Sequence, residues 1–80
     1  VFDRALAVAP ETPLLHYDRA IALEELGRTR DALRGYERCI ELAPQFADAH
    51  FNAARLHEQL GDRQLALRHY SAYRRLQNDG

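Results

Sequence analysis

An all-α stack of two-helix units is the architecture this sequence predicts, and two observations carry it. Residues 13–46 laid over residues 47–80 repeat at an offset of 34: His16 falls on His50, Ala20 on Ala54, Glu24 on Glu58, Gly27 on Gly61, Ala32 on Ala66, Tyr36 on Tyr70 and Leu42 on Leu76. The offset extends backwards, so that Phe2 to Pro10 matches Tyr36 to Pro44. A fixed period of this length is the mark of stacked supersecondary units. The second observation is spacing: apolar residues recur at helical intervals, and no segment alternates with period two, so no strand is expected.

The elements follow in order. Residues 1–8 read as the end of an earlier helix, closed by Pro10. Thr12 then Pro13 reads as an N-cap with a first-turn proline, whose missing N–H would have been unpaired anyway. Leu15, Arg19, Ala22, Leu23 and Leu26 recur at helical spacing until Gly27, which can take the left-handed conformation that ends a helix. Thr29 is the expected cap of the next helix, which carries Ala32, Leu33, Tyr36, Cys39, Ile40 and Leu42 before Pro44 stops it. A third helix is expected from about Ala47 to Leu60. Asp62 or Arg63 opens a fourth, running to about Gln77 with Arg74 and Arg75 near its C-terminal end, where cations are favoured.

The period and its residues resemble the tetratricopeptide repeat, over essentially the whole chain. The resemblance rests on Ala20 with Ala32 and Ala54 with Ala66 as small crossing residues. It rests also on Gly27 and Gly61 between helices, Tyr36 and Tyr70 in the second helices, and Pro10 and Pro44 as closing prolines. Two positions depart from the pattern: His16 and His50 replace the aromatic early in the first helix, and Asn78 replaces the last closing proline. The resemblance implies a right-handed superhelical α-solenoid. Residues 1–12 are then the remnant of a preceding repeat helix with its linker, 13–46 the first repeat and 47–80 the second. Tyr73, standing where Cys39 and Ala5 stand earlier, and Asn78 lead us to expect the array to end there. A chain beginning on Val1 in mid-helix, with two full repeats where about three are usual, reads as a piece of a longer protein.

Composition narrows the function classes. Eleven arginines without lysine are interspersed with twelve acidic residues, for a formal net charge of −1, so no polyanion-binding surface and no direct nucleic-acid partner are expected. The arginine and alanine bias suits a GC-rich, bacterial coding genome. No stretch is apolar enough to span a membrane, and no signal peptide is visible. One cysteine without a pairing framework fits a reducing cytoplasm.

No chemistry of its own is expected of the chain. Cys39 aligns with Ala5 at a small-residue core position and reads as a buried, inert thiol. His50 and His57 lie seven apart on one helix, too far to chelate as an i, i+4 pair, and His69 has no obvious companion, so no metal ligands are assigned. Glu24, Glu25 and Glu58 read as solvated or salt-bridged carboxylates. There is no phosphate loop, and no cofactor and no catalytic residue are expected.

The family resemblance places the first helices along a concave groove. It implies Leu14, Tyr17, Asp18, Ile21, Glu24 and Glu25 from the first unit, with Asp48, Phe51, Asn52, Arg55, Glu58 and Gln59 from the second. Tyr17 and Phe51 would supply aromatic contact area, Asn52 and Asp18 would pair with a peptide backbone, and Arg55 would take a carboxylate. The plainer alternatives stay open: the rings pack on neighbouring helices, and Arg55 pairs with Glu58 or Glu24. A clamp for a C-terminal carboxylate is disfavoured, because of the family's usual lysine, asparagine and arginine set only Asn52 is present. Two functions follow: a module that holds a partner peptide or helix, or a structural segment that homodimerises, with Leu67, Tyr70 and Tyr73 as candidate contacts. The tail of a DNA-binding regulator, or the targeting arm of an enzyme, are remoter readings.

Overall fold

The computed structural model describes residues 11–79. They form four helices and no strand: α1 (Pro13–Glu25), α2 (Thr29–Leu42), α3 (Ala47–Gln59) and α4 (Arg63–Asp79). The helices pack as successive neighbours, α1 on α2, α2 on α3 and α3 on α4, which is the layout of two stacked hairpins. The helix expected at residues 1–8, with its closing Pro10, lies outside the described residues.

Each hairpin is closed by the same turn. Gly27 and Gly61 hold φ of 82° and 88°, a conformation that costs an L side chain about 1 kcal/mol. In both turns the following residue donates its N–H to a carbonyl five residues back, inside the helix: Arg28 N to Leu23 O at 2.9 Å, and Asp62 N to His57 O at 2.8 Å. Gly27 N to Glu24 O and Gly61 N to Glu58 O complete the pair, the hydrogen-bond pattern of the Schellman motif.

Helix starts follow side-chain chemistry. Thr12 caps α1, its hydroxyl accepting from Leu15 N at 3.1 Å, with Pro13 in the first turn. Asp62 caps α4 by accepting from Leu65 N at 3.3 Å. The expected cap at Thr29 is corrected: Thr29 is already helical, and Arg28 stands at the cap position without a side-chain capping bond to the backbone. An arginine has no acceptor to offer a free N–H. Instead Arg28 and Arg34 both pair with Asp31 in the first turn, at 2.8 and 3.1 Å.

Helix ends also divide on one residue. Ala43, just before Pro44, leaves the helical region at φ −144°, ψ 85°, because proline's ring disfavours helix in its predecessor. At the equivalent place Asn78 retains its N–H, and α4 runs on to Asp79, beyond the expected Gln77. Arg74 and Arg75 therefore precede the last turn. Helix α3 stops at Gln59, with Leu60 as its cap.

The core is built from small residues around a few large ones. Ala20, Ala32, Leu33, Tyr36, Ala53 and Leu56 form its centre, with Tyr17, Ile21, Leu23, Ile40 and Leu60 packed against it. The crossing alanines Ala20, Ala32, Ala54 and Ala66 are all buried. One tight approach is not legible in the sequence: a Cβ on Gly35 would stand 2.9 Å from the Ala20 Cβ and 3.3 Å from the His16 carbonyl. Tyr36, Leu56 and Cys39 are the large side chains wholly removed from water. Truncating Leu56 to alanine would cost about 2–5 kcal/mol.

The stripe expected on α1 is corrected. Only Leu23 of that set packs on the core; Leu15, Arg19, Ala22 and Leu26 are exposed, Leu26 at 73 %. The packed face instead carries Tyr17, Ala20 and Ile21. In a stacked array an outer apolar face is the one a neighbouring unit covers. The same logic separates Leu33 from its equivalent Leu67: α3 covers the first, at 9 % exposure, whereas the second stands 65 % exposed on α4.

Candidate functional site

Several of the residues expected to line a groove on α1 and α3 meet across the two hairpins and bond to one another. Arg55 donates to both carboxylate oxygens of Glu24, at 2.9 and 3.2 Å, and to Asn52 Oδ1 at 3.1 Å. Glu24 also accepts the Tyr36 hydroxyl at 2.8 Å. Asn52 Nδ2 in turn donates to the Tyr17 hydroxyl at 3.1 Å. Arg55 is thus taken by Glu24, the neighbouring-unit alternative, rather than held free for a ligand carboxylate, and one face of the Asn52 amide is committed as well.

Burial sets the character of the two tyrosines. Desolvation, then its hydrogen bond to Glu24, pushes the Tyr36 hydroxyl well above its ordinary range, so it stays a proton donor. Tyr17 is raised as well, chiefly by desolvation and next by Asp48. Its ring lies 5.0 Å from Phe46 and 5.7 Å from Tyr36, so Tyr17 is part of the inter-hairpin packing rather than a free platform.

Above this network lies an open cleft of about 360 Å³, lined by Ile21, Glu24, Glu25, Tyr36, Asn52 and Arg55. Asp18, Asp48 and Leu14 are exposed. Phe51 faces α4, its ring 5.7 Å from Tyr70 and 5.1 Å from Tyr73. The groove set and the self-association set, separate in sequence, therefore share one aromatic cluster. Tyr70 is further tied by its hydroxyl to Glu58 at 3.0 Å.

The histidines are where sequence reasoning missed most. His69 has companions on another helix: its Nδ1 lies 3.1 Å from His50 Nδ1, and its ring lies 6° from parallel to that of His57, centroids 5.4 Å apart. His57 reaches Glu37 of α2 at 3.2 Å. His50 and His57 are buried. Burial first, then the charges of His50, His57 and Arg68, lowers His69 to about 4, so it is neutral near pH 7. Spacing along α3 separates His50 from His57; the contact that joins them runs through α4. His16, by contrast, pairs with Glu11 at 2.9 Å, and Glu11 also holds Arg38 of α2. These two partners, His16 first, hold the Glu11 carboxyl below its usual range.

Cys39 is buried, and burial pushes its thiol up, which suits a packing role. Among the described residues, no helix is long and apolar enough to cross a membrane.

Paired antiparallel helices joined by left-handed glycine turns, repeating at a fixed offset, define a helical-repeat protein. The family model for the tetratricopeptide repeat matches residues 1–57, and the chain belongs to that family. Repeats of this family are generally protein–protein interaction modules. No curated protein matches the chain closely enough to be reported as a relative.

Proposed function

We propose that the chain is a non-catalytic interaction module whose concave groove holds a cationic, partly apolar peptide or helix of a partner protein. The observation that carries this reading is the state of the cleft's one arginine. Arg55 is already paired with Glu24, so the acidic charge of Glu25 in the cleft and of the exposed Asp18 and Asp48 on the same two helices is left uncompensated there. Complementary charge would steer a lysine- or arginine-bearing partner to it. The Glu24–Arg55–Asn52–Tyr17 network supports the reading further, because groups fixed before binding lose little entropy on binding. Ile21 in the cleft supplies an apolar anchor, and the partly exposed Phe51 on α3 offers a second.

Fluorescence anisotropy with two labelled amphipathic peptides, one of Lys and Leu and one of Glu and Leu, tests this. The cationic peptide should bind at least tenfold tighter, and Asp18→Asn/Glu25→Gln/Asp48→Asn should remove that preference. Equal binding of the two peptides, or a preference untouched by the triple variant, would reject the reading.

A second reading, association of two copies through the α4 face, is favoured by the exposed Leu67 beside Tyr70. Sedimentation equilibrium with Leu67→Glu separates the two. A dimer abolished by that change places self-association on α4 and leaves the groove open.

A further inference from the structure

The geometry points to a binding site for a divalent transition-metal ion of the zinc type at the joint of the two hairpins, with Glu37, His57 and His69 as ligands. The three residues come from α2, α3 and α4, and each offers a ligand atom within 4.8 Å of the others. His57 Nε2 and Glu37 Oε2 already stand 3.2 Å apart. Ligand atoms on a tetrahedral zinc are separated by roughly 3.3 Å, given metal–ligand bonds of about 2.0–2.1 Å. Two imidazoles with one carboxylate favour zinc, nickel, copper or cobalt over magnesium or calcium, which take all-oxygen sets. Three protein ligands leave a fourth position open to water.

A hydrogen-bond chain behind His69 prepares it. The Pro44 carbonyl lies 2.8 Å from His50 Nε2 and can only accept, so that nitrogen carries the hydrogen. With its hydrogen on Nε2, His50 presents a lone pair at Nδ1, 3.1 Å from His69 Nδ1, which then donates. His69 is left with its lone pair on Nε2. This is how supporting groups fix the tautomer of a metal-ligating histidine.

Repeat packing alone does not call for these residues. At the equivalent positions of the other hairpin, Leu23 stands for His57 and Gly35 for His69, while Ser71 stands for Glu37. Gly35 is where the first hairpin needs no side chain at all, since even a Cβ meets Ala20 at 2.9 Å. An imidazole in that register works against the close crossing its counterpart makes. Coordination requires one of the two near-parallel rings to turn about χ2, and it replaces the His57–Glu37 hydrogen bond with two metal bonds. Binding through Nε2 places the ring hydrogen of His57 on Nδ1. The ion would then link the first hairpin to both helices of the second.

The test is calorimetric titration of the untagged, chelator-washed chain with ZnCl₂, alongside visible absorption with Co²⁺. One ion should bind per chain with a Kd of about 10 μM or tighter, and Co²⁺ should develop the intense visible band of a tetrahedral site. His57→Gln, His69→Ala and Glu37→Gln should each weaken binding at least tenfold, while His16→Gln on the other hairpin leaves it unchanged. Glu37 is nearly half-exposed, so Glu37→Gln retains the fold and decides the matter if a histidine variant loses its helical circular dichroism. At a hundredfold excess over Kd the thermal midpoint should rise by about 10 °C or more. No saturable binding, unchanged affinity in Glu37→Gln, or an equal loss in His16→Gln would overturn the assignment.

Discussion

Arg55 on α3 closes on Glu24 of α1 at 2.9 Å while the buried Tyr36 of α2 gives its hydroxyl to the same carboxylate at 2.8 Å. One side chain of the first helix therefore ties three helices and spans both hairpins.

Removing that carboxylate leaves the Tyr36 hydroxyl without an acceptor and Arg55 without its ion pair. Glu24→Ala should destabilise by about 2 kcal/mol and Glu24→Gln by about 1, since the amide retains an acceptor. Urea unfolding checks both, and the Glu24→Ala penalty should shrink at 1 M NaCl because the pair is partly exposed.

Two glycines separate crowding from backbone strain. Gly35→Ala drives a methyl into Ala20 and the His16 carbonyl and should cost about 1–3 kcal/mol. Gly27→Ala meets nothing within 4 Å, so only its left-handed φ is penalised, at about 1 kcal/mol. Thermal melts of the two variants should rank Gly35→Ala lower; the reverse order would mean that α1 and α2 separate freely.

The capping difference gives a paired test. Asp62→Ala should cost about 1 kcal/mol, while Arg28→Ala, at the same place in the other hairpin, should lie within about 0.5 kcal/mol of the native chain. Equal losses would refute the assignment of Asp62 as the cap.

The metal-free protein should lose stability in mild acid. With its pKa lowered from 6.5 to about 4, His69 takes up a proton in the unfolded chain that the folded chain refuses. The contribution is fully present above pH 6.5 and is lost as pH falls to about 4. His50 and His57 from α3 and Arg68 on its own helix oppose the charge, and Glu37 of α2 lies in the same cluster. Allowing for solvent access, the loss is on the order of 1–2 kcal/mol. Melts in EDTA at pH 7.5 and 4.5 should show a smaller drop for His69→Ala than for the native chain.

The repeat layout was legible because it is written in residues that act locally. Gly27 and Gly61 end helices by backbone freedom, Pro44 by its missing N–H, and Thr12 and Asp62 start them with a side-chain oxygen. Thr29 misled because a hydroxyl one residue inside the helix looks in sequence like a cap. Leu15 and Leu26 misled because helical spacing shows that residues share a face, not which face is packed. Register puts the expected α1 and α3 residues on shared faces, but does not show that their polar groups satisfy one another. The Arg55–Glu24 pair lies thirty-one residues apart, and nothing local ranks it above a pairing with Glu58. The histidine cluster needs α4 folded back on α3, so no spacing along one helix could reveal it.

Among the described residues, three polar links of different chemistry cross the seam between the hairpins: a neutral one at Tyr17–Asn52, an ionic one at Glu24–Arg55 and an imidazole–carboxylate one at Glu37–His57. A solenoid bends at its seams, so links of different chemistry let the curvature of this one answer separately to solvent polarity and to salt. Any ligand that spans both hairpins works against that elasticity, and by reciprocity its grip on the chain changes whenever one of the three links is loosened.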